Sequence, residues 1–208
     1  MVIDIDVITH PIRFLRELRT RAGEDIVLSF SRYSYRRRER KDVRESFNVH
    51  IREVNPQWLR NQLMVLQPHQ ELAIESRVIA NGLRRHIPML DFSGMRKGQL
   101  LAIMEVLPEN FSEGIQVYYS GRSFHAYFPR LLTSRQWVKF MGSALLCNTQ
   151  SSDVIDQRWV GHRLIGGYGA LRWSSNTSQH ARYPTRIDLN TLDLSSSEKN
   201  KLLHPDQL

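Results

Sequence analysis

Hydrophobic and polar positions follow two different periods along this chain, and together they predict a mixture of helices and strands. Apolar residues three or four apart predict helices over residues 11–22, 56–63, 97–107 and 135–147. Alternating or continuous short apolar runs predict strands over residues 2–8, 26–31, 47–51, 72–79, 87–90, 115–119 and 185–189. The two periods therefore favour a fold that combines helices with strands.

Local signals set the ends of several of these elements. Thr9 is expected to cap the first helix, Pro11 suits its first position, and Gly23 marks its exit. Ser134 is expected to cap the helix over residues 135–147. The Asn81-Gly82 pair predicts a tight hairpin whose second strand, at 87–90, leads into Asp91.

A length of 208 residues allows one sizeable hydrophobic core. We divide the chain into an N-terminal α/β extension over residues 1–80, a core over residues 81–190 and a polar tail over residues 191–208. The three parts are expected to form one compact domain.

The charge balance points to a polyanionic partner. The chain has 29 Lys and Arg against 21 Asp and Glu, a net charge of +8, and an isoelectric point near 10.0. The excess is concentrated where arginine alternates with tyrosine, at Arg36, Arg37, Arg38 and Arg40. Arginine reaches phosphates and tyrosine stacks on bases, so this segment could hold a nucleic-acid strand. The alternative is a solvated loop between two strands.

The sequence predicts a cytoplasmic protein. The N-terminus carries Asp4 and Asp6 where a secretory signal would carry basic residues, and no apolar run is long enough for a membrane span. The single cysteine, Cys147, allows no disulfide within the chain.

A short polar turn between two aromatic strands is the most distinctive stretch of the chain. Over residues 118–128 it offers the Ser120 hydroxyl, a close backbone approach at Gly121, the forked guanidinium of Arg122 and the ring of His125. Such a turn can bind a phosphate. The alternative is an ordinary hairpin with a structural histidine.

Two aspartates follow apolar residues at predicted strand ends. Asp91 follows Met89-Leu90, and Asp156 follows Val154-Ile155. Carboxylates at strand ends are suitable ligands for Mg²⁺ or Mn²⁺. The alternative is that they cap turns or helices, which aspartate does very often.

The order of these pieces resembles the archaeo-eukaryotic primase superfamily, the primase-polymerase fold. The resemblance implies an α+β fold with a mixed or antiparallel, RRM-like sheet and flanking helices. The resemblance covers roughly residues 83–176, and its most specific part is the Ser-Gly-Arg-x-x-His block at residues 120–125. It implies a nucleotidyltransferase that acts on a nucleic-acid template, with a helicase or other replication protein as a further partner. The residue roles that the resemblance implies are Asp91 and Asp156 for the metal ion and catalysis, and Ser120, Arg122, His125 and Arg172 for the nucleoside triphosphate.

One position departs from the family pattern. The family has a second acid two residues after the first, whereas this chain has Ser93 after Asp91. Two neighbouring carboxylates would hold paired metal ions, so the serine leaves two functions open. The chain is either a nucleotidyltransferase or a binding module for nucleic acid or nucleotides that has lost catalysis. A third alternative is an unrelated basic α/β domain.

Overall fold

A computed structural model describes residues 5–34, 43–94, 103, 106–107, 111, 113–150, 153–180 and 182–188. Within these residues the chain forms four α-helices and nine strands, and every strand pair is antiparallel. The α+β class predicted from the sequence is confirmed. The strands divide into two sheets.

The helices flank both sheets. A short 3-10 turn, Pro11–Arg13, leads into helix α1. The four helices are α1 Phe14–Ala22, α2 Pro56–Met64, α3 Ser134–Leu145 and α4 Gln157–Gly166. In α1, α2 and α3 the buried residues recur at helical spacing, which explains why their pattern was readable in the sequence.

The first sheet has the strand order β2-β1-β3-β4, and β8 pairs with β3. Its strands are β1 Ile26–Ser34, β2 Arg44–His50, β3 Gln70–Ala80, β4 Leu83–His86 and β8 Ala170–Arg172. The second sheet has the order β5-β7-β6-β9. Its strands are β5 Met89–Phe92, β6 Gln116–Tyr119, β7 Phe124–Tyr127 and β9 Thr185–Arg186.

The strand that carries Asp91 is not part of the Asn81-Gly82 hairpin, and this corrects the sequence prediction. The hairpin partner of β3 is β4, which ends at His86, whereas Asp91 lies on β5 in the second sheet. Pro88 separates β4 from β5. Proline has no N–H to donate and interrupts a strand, so the chain can leave one sheet there and enter the other.

Three predictions about element ends are also corrected. Residues 5–8, the described part of the predicted strand 2–8, form no strand and enter a turn. His10 rather than Thr9 caps the first helical turn, where its ring nitrogen accepts the N–H of Ile12. Thr133 rather than Ser134 caps α3, because Thr133 and Gln136 form a reciprocal capping box.

One helix was absent from the sequence prediction and another falls mostly outside the described residues. Helix α4 contains Gly161 and has a weaker apolar face than α3, so its period was hard to detect. Most of the helix predicted over residues 97–107 lies outside the described residues, as do the segment 35–42 and the tail 191–208.

Two clusters of buried side chains form the core. The first packs α1 and α2 against one face of the first sheet, and the second packs α3 and α4 against one face of the second sheet. The other face of the second sheet joins the first cluster through Met89 and Tyr127, whose ring lies 5.2 Å from that of Phe14. Asp91 and His125 lie on that same face, because side chains two apart on a strand share a face. None of the described helices has the length and apolar character that crossing a membrane requires.

Candidate functional site

A cavity of about 400 Å³ opens beside this face of the second sheet. It is lined by all six residues for which the sequence predicted metal or nucleotide contacts: Asp91, Asp156, Ser120, Arg122, His125 and Arg172. Residues from the first sheet and from α4 complete its wall. We call this cavity the cleft. The six predicted residues that it brings together are up to 81 positions apart in the sequence, the separation of Asp91 and Arg172.

Asp91 and His125 are direct neighbours across two paired strands. Their Cα atoms are register partners in the antiparallel pair β5 and β7. The Nε2 atom of His125 lies 3.7 Å from the Oδ1 atom of Asp91, which is beyond a good hydrogen bond. Sheet register therefore fixes the two side chains at one end of the cleft.

Backbone pairing brings Asp156 beside Asp91. Ile155 forms an antiparallel bridge with Phe92, and the N–H of Asp156 donates to the carbonyl of Asp91 at 3.0 Å. The side chain of Asn148 holds this segment. It accepts the N–H groups of Val154 and Ile155 at 2.8 Å and donates to the carbonyl of Ile155 at 2.9 Å.

Asp156 also caps α4, so the capping alternative holds for this residue. Its Oδ1 atom accepts the backbone N–H of Trp159 at 2.8 Å. The cap uses Oδ1 and leaves Oδ2 for a ligand in the cleft. A capping role and a ligand role are therefore compatible at Asp156.

The turn over residues 120–123 is a tight one. The N–H of Ser120 donates to the carbonyl of Ser123 at 2.8 Å, and the Tyr119 hydroxyl donates to the carbonyl of Gly121 at 2.7 Å. Gly121 has a φ of 99°, a conformation that side chains other than glycine rarely adopt. Arg122 is exposed at the tip of the turn, where its guanidinium can reach a ligand.

Arg172 is buried and its guanidinium is engaged by the backbone. Only 4% of the residue is exposed. The guanidinium donates to the carbonyls of Ser120, Ser174 and Arg182, the last at 3.1 Å. Arg172 therefore connects the turn over residues 120–123 to the segment that follows β8 through hydrogen bonds to the backbone.

Burial and charge set the protonation of the acid and the histidine. Burial, with Asp156 as a second cause, raises the pKa of Asp91 to about 7, although Arg172, Arg122 and Arg163 oppose this rise. Burial lowers the pKa of His125 well below its usual value, and Arg172 lowers it further. His125 is therefore neutral at physiological pH and presents one N–H donor rather than a positive charge.

Two buried polar atoms in this region find no hydrogen-bond partner among the residues described. They are Nδ1 of His125 and Oγ of Ser123, and both residues line the cleft. Buried polar atoms normally have a partner, so unpaired ones beside a cavity indicate where a polar ligand binds.

Several cleft residues were not assigned to the site from the sequence. They are Tyr33, Ser34, Arg44, Arg158, Trp159, His162, Arg163 and His180. Arg158 and His162 are four apart on α4 and share a face of that helix, a signal that recognition of the helix would have exposed. His180 has no such signal, because it enters the cleft through an irregular segment. The predicted nucleic-acid residues Arg36, Arg37, Arg38 and Arg40 lie outside the described residues.

The acids of the cleft suit one divalent ion better than two. Mg²⁺ is commonly held by one or two carboxylates together with phosphate oxygens of the substrate, and Asp91 with Asp156 supply that donor set. A bound cation would also stabilise the ionised form of Asp91, which burial and the neighbouring Asp156 make unfavourable. No group of three or more His, Cys, Asp or Glu in the described part of the chain has the arrangement of a metal site.

Comparison with known families gives one match. The model of the family described as AEP-like, archaeo-eukaryotic primase 1D-like, matches residues 50–185, well over half of the chain. These residues include every described side chain that the sequence assigned to the site. Comparisons with curated proteins and with solved structures find no significant match.

Proposed function

The chain belongs to the AEP-like archaeo-eukaryotic primase 1D-like family, and from this premise we propose that it is a primase-polymerase-like nucleotidyltransferase. In this proposal the cleft binds a nucleoside triphosphate and joins it to a strand on a nucleic-acid template. The observation that carries the proposal is the convergence of Asp91, Asp156 and His125 in one cleft. Five arginines line the same cleft, which favours a highly charged anion there.

The turn over residues 120–123 and His125 bind the triphosphate. Arg122 supplies a forked, charge-assisted contact from the exposed tip of the turn. Neutral His125 donates an N–H to a phosphate oxygen, and the Ser120 and Ser123 hydroxyls are further donors. Arg172, which the resemblance assigned to the triphosphate, lines the cleft, and its guanidinium also donates to the carbonyl of Ser120 and so positions the turn.

Asp91 and Asp156 hold Mg²⁺ or Mn²⁺ in this proposal. The bound ion would neutralise triphosphate charge and favour ionisation of the attacking 3′ hydroxyl. Asp156 is positioned for this role by its backbone contact with Asp91 and by its cap on α4. The arginines that surround Asp91 limit the negative charge of the cleft when the ion is not bound.

A second candidate function is a binding module that has lost catalysis. Ser93 favours it, because this residue lines the cleft close to Asp91 and offers a hydroxyl where the family has an acid. Without that acid the cleft has one carboxylate fewer for a second metal ion. Binding of nucleotide and strand would remain.

Primer extension separates the two candidates. The native protein, given Mn²⁺, a primer-template and nucleoside triphosphates, is expected to extend the primer, and Asp91→Asn is expected to lower the rate at least about tenfold. The matched control is Asp153→Asn, since Asp153 is exposed, does not line the cleft and accepts a hydrogen bond from Gln157. Nucleotide binding without extension would favour the binding module. Extension that is equal in the Asp91 variant would reject the assignment of the site.

A further inference from the structure

The first sheet has a second face, opposite the one that α1 and α2 cover. On the covered face the ring of Trp58 lies 4.7 Å from that of Phe30. The second face carries Tyr33, which is buried with two alanines in a small third cluster, and beside it Arg44, Ser46 and Arg77, which are at least partly exposed. We call Tyr33, Arg44, Ser46 and Arg77, together with Tyr168, the arginine-tyrosine face.

Two arginines on this face are stacked on tyrosine rings. The guanidinium carbon of Arg44 lies 4.0 Å from the ring centre of Tyr33, and that of Arg77 lies 4.1 Å from the ring centre of Tyr168. Hydrogen bonds hold both guanidinium groups in place. Arg44 donates to Ser31 at 3.1 Å, and Arg77 donates to Glu75 at 2.6 Å and to Ser46 at 3.0 Å. The planar groups are therefore fixed before any ligand binds.

This face continues directly from the cleft. Tyr33 and Arg44 line the cleft, whereas Arg77 and Tyr168 lie beyond it. Ser46 connects the two pairs, because it follows Arg44 by two residues on the same face of β2 and accepts a hydrogen bond from Arg77. The side chain of Arg77 is 45% exposed, so a ligand that leaves the cleft can reach it.

We propose that the arginine-tyrosine face binds a single strand of nucleic acid that runs out of the cleft. Guanidinium and tyrosine planes can stack on bases only where the bases are unpaired and splayed. The Arg44 charge attracts phosphates, whereas the Arg77 charge is balanced by its ion pair with Glu75. An acidic peptide would use the charges but would gain little from the stacked planes. The choice of partner rests on the proposed function.

Substitutions at Tyr168 test the stacking. The probe is a short fluorescent oligothymidylate, and its affinity is measured by anisotropy. Tyr168→Leu keeps an apolar side chain and removes the ring, and it should weaken binding about tenfold. Tyr168→Phe keeps the ring and should bind within about twofold of the native protein. Equal affinities for the Leu variant and the native protein, with matching melting temperatures, would overturn the proposal.

Substitutions of arginine test where the charge acts. Arg44→Ala should flatten the dependence of log affinity on log salt by about 0.7, the value for one phosphate contact on a single strand. The matched control is Arg16→Ala, because Arg16 is an exposed arginine on α1, which covers the opposite face of the sheet. A control that flattens the slope as much as Arg44→Ala would overturn the proposal in favour of diffuse attraction.

Nucleotide binding separates this inference from the proposed function. Tyr168 does not line the cleft, so Tyr168→Leu should leave nucleoside triphosphate affinity within about twofold of native. Strand binding that depends on Tyr168 in a protein without nucleotide affinity would reject the proposed function and retain the face. If Tyr168→Leu lowers nucleotide affinity together with strand affinity, the substitution disturbs the protein as a whole, and the proposal that the arginine-tyrosine face binds the strand is rejected.

Discussion

Asp91 lines the cleft, and its ionised carboxylate destabilises the folded protein. Its side chain is 26% exposed, yet burial and Asp156 raise its pKa to about 7 from 3.8. A carboxyl whose pKa is raised on folding opposes folding once it ionises, and the cost grows from about pH 4 to about pH 7 and is complete above that. The ionised carboxylate therefore lowers the free energy of unfolding, and a bound cation would offset that loss.

Asp91→Asn should stabilise the protein at alkaline pH in the presence of a chelator. The expected gain is up to about 4 kcal/mol near pH 8 and close to zero below about pH 3, where the native carboxyl is protonated in both the folded and unfolded states. Urea unfolding at several pH values measures it. Asp153→Asn, at an exposed position, should show no such pH-dependent gain. A loss of stability at every pH would contradict the environment described for Asp91.

Ser93 offers a test of the missing acid. It is exposed, lines the cleft and follows β5 directly, so a carboxylate there would stay hydrated and lie near Asp91. Ser93→Asp should tighten Mn²⁺ binding about tenfold and raise primer extension. Asp91→Asn in the same variant should cancel the gain. A lower melting temperature with unchanged Mn²⁺ affinity would show that residue 93 cannot complete the acid pair.

At the residue scale, the sequence located the cleft acids and the phosphate-binding turn because their types and order carry chemistry. It could not show that the Arg172 guanidinium donates to three backbone carbonyls, because one of them, that of Ser120, is 52 positions away and all three contacts depend on how the chain folds back. His180 was missed for the same reason. Such placements depend on tertiary packing rather than on local pattern.

At the scale of elements, the site depends on a short segment, 154–156, that adds to the edge of β5. Its backbone contacts with Phe92 and Asp91 place Asp156, and Asn148 anchors it through three hydrogen bonds. The apolar pair before Asp156 predicted a strand end there, but neither its contact with β5 nor helix α4 was predicted, because a single bridge has no period and α4 has a weak apolar face. The hairpin error at Pro88 is likewise an error of sheet membership, which local pattern does not determine.

Asn148→Ala should therefore act on both stability and the site. Loss of three hydrogen bonds to the backbone should cost about 2 to 3 kcal/mol of unfolding free energy. Displacement of Asp156 should also weaken Mn²⁺-dependent nucleotide binding. Asn61→Ala, at an exposed position on α2, is the matched control and should change neither quantity by much. Unchanged nucleotide affinity in Asn148→Ala would show that Asp156 does not depend on this anchor.

For the whole molecule, two antiparallel sheets lie on either side of one cleft, and the chain carries a net charge of +8. The presence of both helices and strands followed from the periods along the chain, and the α+β class followed from the family resemblance. The division into two sheets did not, because the pairing of β5 with β7 and of β3 with β8 joins residues distant in sequence. The positive charge should favour association with nucleic acid most strongly at low salt.

Arg36, Arg37, Arg38 and Arg40 stay predicted phosphate contacts. Replacing all four by alanine should flatten the salt dependence of single-strand affinity by roughly 3 units, at about 0.7 per contact. Anisotropy titrations over a series of salt concentrations give the slope. Equal slopes for the native and four-alanine proteins would show that the segment makes no phosphate contacts.

Nucleoside triphosphate binding in the cleft can be measured by calorimetric titration with a nonhydrolysable triphosphate and Mn²⁺. The native protein should bind, and Arg122→Ala and His125→Ala should each weaken binding by roughly 1.5 to 3 kcal/mol. Arg135→Ala, at an exposed position on α3 outside the cleft, should bind like the native protein. If the native protein does not bind, or if all four proteins bind with equal affinity, the cleft is not a nucleotide site that uses Arg122 and His125.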